Sequence, residues 1–270
     1  MRSVPYNLCI TMSTERGNGG SAQFRKASNL ILRLPSSHFF NSIFKFMFEL
    51  YLDSADTAQI ARFHDCLPVK GVTTNPSILA KSGVGLNQLL LNLAELIGPE
   101  ARFHVQVVSS TVDGMVEEAK RLQDLPYDIV VKVPANEIGF AAIKKIKANE
   151  IAVLATAIYS VQQGFLAALC GADYLAPYVN RIDAMGENGP QVVADLQNLL
   201  DRQKLPCKLL PASFKNTRQV LDVLSAGVSA ITLPVEIAEQ MLGHPAVSPA
   251  VAQFDVDWCN VFGNQLSFES

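Results

Sequence analysis

From residue 48 onward the chain alternates two kinds of segment. Short apolar or β-branched runs occur at Phe48-Glu-Leu-Tyr-Leu52, Gly71-Val-Thr-Thr74, Phe103-His-Val-Gln-Val-Val108 and Ile129-Val-Val-Lys-Val133. They continue at Ala152-Val-Leu-Ala-Thr-Ala157, Tyr174-Leu-Ala-Pro-Tyr178, Lys208-Leu-Leu-Pro-Ala212 and Ala230-Ile-Thr-Leu-Pro234. These are eight predicted strands whose starts lie 22 to 34 residues apart, the length of a strand plus a crossover helix. Between them the period changes from 2 to that of a helix. In Val112–Leu122, Met115, Ala119 and Leu122 fall on one face and the charges on the other, as a core-facing helix requires. Gln191–Leu200 and Thr217–Leu224 read the same way, the second with Thr217 as its expected N-cap. Eight strand–helix units predict an α/β fold, a closed (β/α)₈ TIM barrel in a single domain over residues 48–270. After Val235–Leu242 comes an extra C-terminal helix at about 248–262. Its Val251, Phe254, Trp258 and Phe262 form a stripe that packs on its own barrel or on a neighbour; the barrel is already complete without it, so a neighbouring subunit is the expected cover.

Composition fits this picture: of 270 residues, 49% are hydrophobic and 17% charged, as in soluble globular enzymes. Charge divides the chain. Residues 1–47 hold six Lys/Arg against one acid, Glu15, hence +5, which leaves −8 for residues 48–270 of an overall −3. The expectation is that 1–47 is an N-terminal extension, disordered or not translated if synthesis starts at Met47; a transit peptide and a functional arm are the other readings. The acidic body argues against nucleic acid, and no apolar run reaches the ~18 residues of a membrane span. Five cysteines and four histidines are scattered without C-x-x-C or helical ligand spacing, so neither a metal nor a disulfide framework is expected, and an odd cysteine count points to the cytoplasm. His64 and His104 read as ordinary surface or satisfied histidines.

In such a barrel the chemistry lies at the carboxyl ends of the strands, where few polar residues are found. They are Asp53, then Thr73, Thr74 and Asn75, then Gln106, Lys132 and Thr156, then Tyr178, Asn180, Arg181 and Asp183, and finally Ser213 and Lys215. Lys132 stands out, because an ammonium among Ile129, Val130, Val131, Val133 and Pro134 is costly to desolvate. It is a carbonyl-attacking amine with a lowered pKa, half of an ion pair with Asp53, or a phosphate ligand. Tyr178 is a packing residue or a proton carrier. Arg181, Ser213 and Lys215 are surface groups or a phosphate clamp on the late strands.

Taken together, Leu50-Tyr-Leu-Asp-Ser54, Gly71-Val-Thr-Thr-Asn-Pro-Ser77, Val130-Val-Lys-Val-Pro134, Ala176-Pro-Tyr-Val-Asn-Arg-Ile-Asp-Ala184, Ala212-Ser-Phe-Lys215 and Ile231-Thr-Leu-Pro234 resemble the transaldolase superfamily, within it the short fructose-6-phosphate aldolases. The resemblance runs from about residue 48 to 263. It implies a cofactor-free class I aldolase in which Lys132 forms a Schiff base with the ketone. Asp53, Thr73 and Asn75 would line the donor end. Tyr178 with Gln106 and Thr156 would manage a catalytic water and its protons, and Arg181 with Ser213, joined by Lys215, would hold the phosphate. It also implies a homo-oligomer, a pentamer or decamer built through the C-terminal helix. The alternative is transaldolase itself, which passes the dihydroxyacetone unit to a second sugar; in that branch Gln106 is typically Glu and Tyr178 typically Phe. The chain departs from the aldolase pattern at Ala135-Asn-Glu-Ile-Gly139, Met185 and Asn216, and Met185 makes substrate preference the open point.

Overall fold

The structure is a computed structural model that describes residues 48–270, so the expectations for residues 1–47 fall outside it. Eight parallel strands form one sheet: β1 (Glu49–Asp53), β2 (Val69–Thr73), β3 (Arg102–Gln106), β4 (Asp128–Pro134), β5 (Val153–Ile158), β6 (Tyr174–Pro177), β7 (Lys208–Leu209) and β8 (Ala230–Leu233). Each pairs with its sequence neighbour, and β8 returns to pair with β1. The β7–β8 seam is joined where Thr232 N–H donates to the Pro211 carbonyl at 3.1 Å. The result is the (β/α)₈ TIM barrel that the spacing predicts. The one strand much shorter than its apolar run is β7. Pro211 has no N–H to give a ladder, and pairing resumes only at the Tyr178–Ala212 bridge.

The helices follow the polar punctuation. They are α1 (Thr57–Cys66), α2 (Pro76–Ser82), α3 (Leu86–Ile97), α4 (Val112–Gln123), α5 (Glu137–Lys147), α6 (Val161–Leu169), α7 (Val179–Ala184), α8 (Gly189–Gln203), α9 (Thr217–Ser225), α10 (Val235–Leu242) and α11 (Val247–Phe262). Seven start behind an Asp, Asn, Thr or Ser whose side chain accepts the N–H three residues on, as Asp56, Asn75, Thr111, Asn136, Ser160, Asn188 and Asn216 do. In α9 the cap is Asn216, which accepts from Gln219 N at 2.9 Å; Thr217, expected to cap, is the first helical residue. Asn at this position is as good a cap as Thr or better, and it claims the earlier start.

Strand alternation then divides the core in two. Outward residues such as Leu52, Val131, Val133, Leu175 and Ile231 pack against the helices in one large cluster. Inward residues Tyr51, Val130, Leu154, Tyr174, Ala176, Leu210 and Ala230 fill the barrel as a second. His104 also points inward and is fully buried, edge-on to Tyr51 at 4.7 Å and to Tyr174 at 5.2 Å. Neither ring nitrogen has a hydrogen-bond partner, so it is not the satisfied histidine expected. Burial holds it well below the usual histidine pKa and therefore neutral, and the Arg102 cation and Lys132, whenever protonated, push the same way. In the single chain α11 leaves Val251, Phe254 and Phe262 on open surface and buries no residue. Among the described residues, no helix is long and apolar enough to cross a membrane.

Candidate active site

Lys132 reaches the barrel interior by simple alternation. Its neighbours Val131 and Val133 face outward and are fully buried, which turns the lysine inward one step above Val130. The strand is fixed on both sides, with Val107 N–H on the Lys132 carbonyl at 3.0 Å and Ala135 N–H on the Thr156 carbonyl at 2.8 Å. Helix α5 closes tightly on its end. A Cβ on Gly139 would lie 1.8 Å from the Pro134 carbonyl oxygen, so only glycine fits there. Lys132 is 5% exposed, and its Nζ donates to the Thr74 carbonyl at 2.5 Å. Burial pushes its pKa below that of an ordinary lysine, and the Asp53 carboxylate pulls it partly back. A backbone carbonyl solvates an ammonium weakly and leaves an uncharged amine its lone pair, the form that adds to a carbonyl.

Asp53 ends β1 and accepts from Thr73 Oγ1 at 2.6 Å. Thr73 Oγ1 also lies 2.8 Å from Thr232 Oγ1. A hydroxyl has one proton, so with Thr73 donating to Asp53, Thr232 donates to Thr73 and the chain has a single direction. Asn75 caps α2 through Oδ1, which accepts Ile78 N–H at 3.0 Å. That assignment turns its amide NH₂ toward the free side. Asp53, Thr73, Asn75 and Lys132 line one cavity of about 230 Å³ with Tyr178, Arg181 and Ser213.

Tyr178 follows β6, and its hydroxyl lies 2.8 Å from Thr156 Oγ1 on β5. Burial raises the phenol's pKa further than the Thr156 hydrogen bond lowers it, so it keeps its proton at neutral pH. Arg181, on the short helix α7, lays its guanidinium over the Tyr178 ring at 4.8 Å. Ser213 adopts φ 62°, the left-handed region that costs a non-glycine residue and recurs at functional sites.

Three of the expected site residues, Thr156, Gln106 and Lys215, are outside the cavity lining, Thr156 being fully buried behind Tyr178, whose hydroxyl it meets. Gln106 ends β3 in register with Lys132, and no hydrogen bond joins its amide to Tyr178 or Thr156. Lys215 is exposed and only its backbone N–H is engaged, by Gln219 Oε1 at 2.7 Å; two residues past Ser213 the chain has already turned into the cap of α9. Met185, at the C-terminus of α7, is 60% exposed and outside the lining. Sequence reasoning missed Thr232 and Phe214, both of which line the cavity. Thr232 had a signal, since strand alternation turns it inward between the outward Ile231 and Leu233. Phe214 had none, because the backbone leaves β7 irregularly.

Solved structures share the barrel. A member of the enolase superfamily from Agrobacterium tumefaciens superposes with a TM-score of 0.54 at 14% identity, covering 72% of this chain and 51% of that one. A putative isomerase from Sinorhizobium meliloti gives 0.53 at 14%, covering 72% and 53%. A flavocytochrome b2 double mutant with pyruvate bound gives 0.53 at 10%, covering 70% and 56%. The chain thus spans little more than half the length of these proteins, and at such identities they speak for the fold alone. The family described as Transaldolase/Fructose-6-phosphate aldolase matches residues 50–266, which takes in all eight strands but for Glu49 of β1, the Lys132 cavity and α11. The chain belongs to that family of aldolase and transaldolase enzymes, whose chemistry runs through a lysine Schiff base.

Proposed function

We propose that this enzyme is a class I aldolase that reversibly cleaves fructose 6-phosphate into dihydroxyacetone and glyceraldehyde 3-phosphate, acting in the cytoplasm. The observation that carries the reading is the Tyr178 phenol, protonated, 2.8 Å from Thr156 Oγ1 and lining the same cavity as Lys132. The uncharged Lys132 amine adds to C2 of the sugar and water leaves, giving an iminium. The C4 hydroxyl gives up its proton to a water beside Tyr178 and Thr156, which Gln106, in register with Lys132 on β3, would help to hold. The C3–C4 electron pair moves into the iminium, and glyceraldehyde 3-phosphate departs. Arg181 and Ser213 hold its phosphate. The remaining enamine is protonated at C3 through Tyr178, and hydrolysis frees dihydroxyacetone and the amine. Asp53, Thr73 and Asn75 orient the donor hydroxyls.

The phenol is what favours release over transfer, because a Phe at this position has no proton to relay to the enamine. The measurement is dihydroxyacetone release from fructose 6-phosphate alone and then with erythrose 4-phosphate. Release without acceptor is expected, and Tyr178→Phe should lower it on the order of a hundredfold while sparing exchange. Strict dependence on the acceptor would mean a transaldolase. The exposed Val251, Phe254 and Phe262 of α11 support assembly into a ring, pentamer or decamer. A native mass equal to one chain would end that part.

A further inference from the structure

We propose that Gln163 is a positioning residue that braces the proton-relay and phosphate-binding groups together through Tyr159; this rests on the roles given above to Tyr178 and Arg181. Strand β5 does not run smoothly past Thr156. Its register with β6 breaks between Ala155 and Ile158, and Ala157 adopts φ 57°. The kink is where β5 presents the fully buried Thr156 to Tyr178, and an alanine enters the left-handed region only where its surroundings hold it there.

Gln163, near the start of α6, supplies the hold. Its Nε2 donates to the Ala157 carbonyl at 3.1 Å and to the Ala135 carbonyl at 2.6 Å, and its Oε1 accepts from Tyr159 N–H at 2.9 Å. Both amide protons and the oxygen are therefore used, and no shorter or differently charged side chain satisfies all three partners. Each partner is tied to the site. Ala135 lies three residues beyond Lys132, and Ala157 follows Thr156. Tyr159 meets the Tyr178 ring edge-on at 5.7 Å, and its hydroxyl accepts from Arg181 Nη1 at 3.3 Å. Gln163 thus sets the spacing between the Schiff-base strand, the relay and the clamp, without touching the cavity itself.

The test compares Gln163→Met, Gln163→Glu and Tyr159→Phe with wild type in aldol addition of dihydroxyacetone to glyceraldehyde 3-phosphate and to unphosphorylated glyceraldehyde. Gln163→Met should lower kcat about tenfold or more with both acceptors, as small misplacements of reacting groups do. Tyr159→Phe should raise KM for the phosphorylated acceptor about threefold and leave glyceraldehyde kinetics unchanged, since it frees only Arg181. A merely structural role would shift thermal stability without this split. If Gln163→Met fails to fold, Gln163→Glu carries the same test: it keeps the Tyr159 contact, loses both donors when ionised, and should show the same fall in kcat. A kcat within about twofold of wild type in a folded Gln163 variant, or an equal KM change with both acceptors in Tyr159→Phe, would overturn the brace. Should wild type prove to need an acceptor sugar, the aldolase reading fails alone. The variant-to-wild-type ratios in exchange with erythrose 4-phosphate would still decide the brace.

Discussion

The two ends of this barrel hold charge in opposite ways. At the end where the strands begin, Glu49 accepts from Lys208 Nζ at 2.6 Å, Tyr51 OH at 2.8 Å and Tyr174 OH at 2.9 Å. Arg102 donates to Tyr174 OH at 2.7 Å and to Asp128 at 2.9 Å. Burial alone would raise the Glu49 pKa, but these hydrogen bonds outweigh it and hold the carboxyl below its usual value. At the other end Lys132 is buried as deeply as the core around it and offered a backbone carbonyl in place of a carboxylate at contact distance. Burial thus leaves an ion charged where partners saturate it and shifts its pKa toward the uncharged form where they are withheld. One end is built for stability and the other for reactivity.

Exchanging the two functions would break this comparison, and substitutions at the two ends should act with opposite signs. Lys132→Met should abolish turnover and borohydride-dependent labelling by dihydroxyacetone. It should also stabilise the fold by about 1 kcal/mol in urea, because an apolar side chain of similar length replaces an under-solvated amine. Glu49→Gln should do the reverse, costing about 2 kcal/mol with kcat little changed. The sign with pH follows from the depressed Glu49 pKa. The ionised carboxylate stabilises the fold above the unfolded value near 4.5, and the advantage over Glu49→Gln should shrink as pH falls below it through the folded value. A Lys132→Met enzyme less stable than wild type would show that the lysine is well solvated after all.

The smallest expected effect sharpens the reactive end. The Asp53 carboxylate raises the Lys132 pKa against the pull of burial, so Asp53→Asn should lower it further. Uncharged amine then persists to lower pH, and the acid limb of Schiff-base formation, followed by trapping with borohydride, should move down in pH. A limb that stays in place would mean that Asp53 acts only through its hydrogen bond to Thr73.

Much of this was legible from residues. The carboxyl ends of the apolar runs marked Lys132, Thr156 and Tyr178, and the strand count predicted the barrel, because period and spacing are local properties of the chain. The misses have physical reasons. Lys215 sits only two residues past Ser213, yet the turn into α9 carries it away from the cavity, and no periodicity encodes where an irregular backbone points. Thr217 lost the cap to Asn216 because two good caps stood side by side. Gln163 read as one more polar helix residue, since its importance lies in backbone carbonyls that only the folded chain brings to it. His104 looked ordinary because nothing in a sequence tells a buried unpaired imidazole from a paired one.

The shortness of β7 reaches beyond topology. Strands β3 and β4 are sewn together over five residue pairs, β6 and β7 over two, and Pro177, Pro211 and Pro234 remove amide donors from the same sector of the rim. The seam is nevertheless closed past the short strand: Ala212 N–H donates to the Pro177 carbonyl at 3.0 Å, Val179 N–H to the Ala212 carbonyl at 3.0 Å and Asn180 N–H to the Ser213 carbonyl at 2.8 Å. Arg181 and Ser213 thus stand on backbone that has left the regular ladder yet is pinned amide by amide, so this side of the rim keeps its shape without the geometry of a strand.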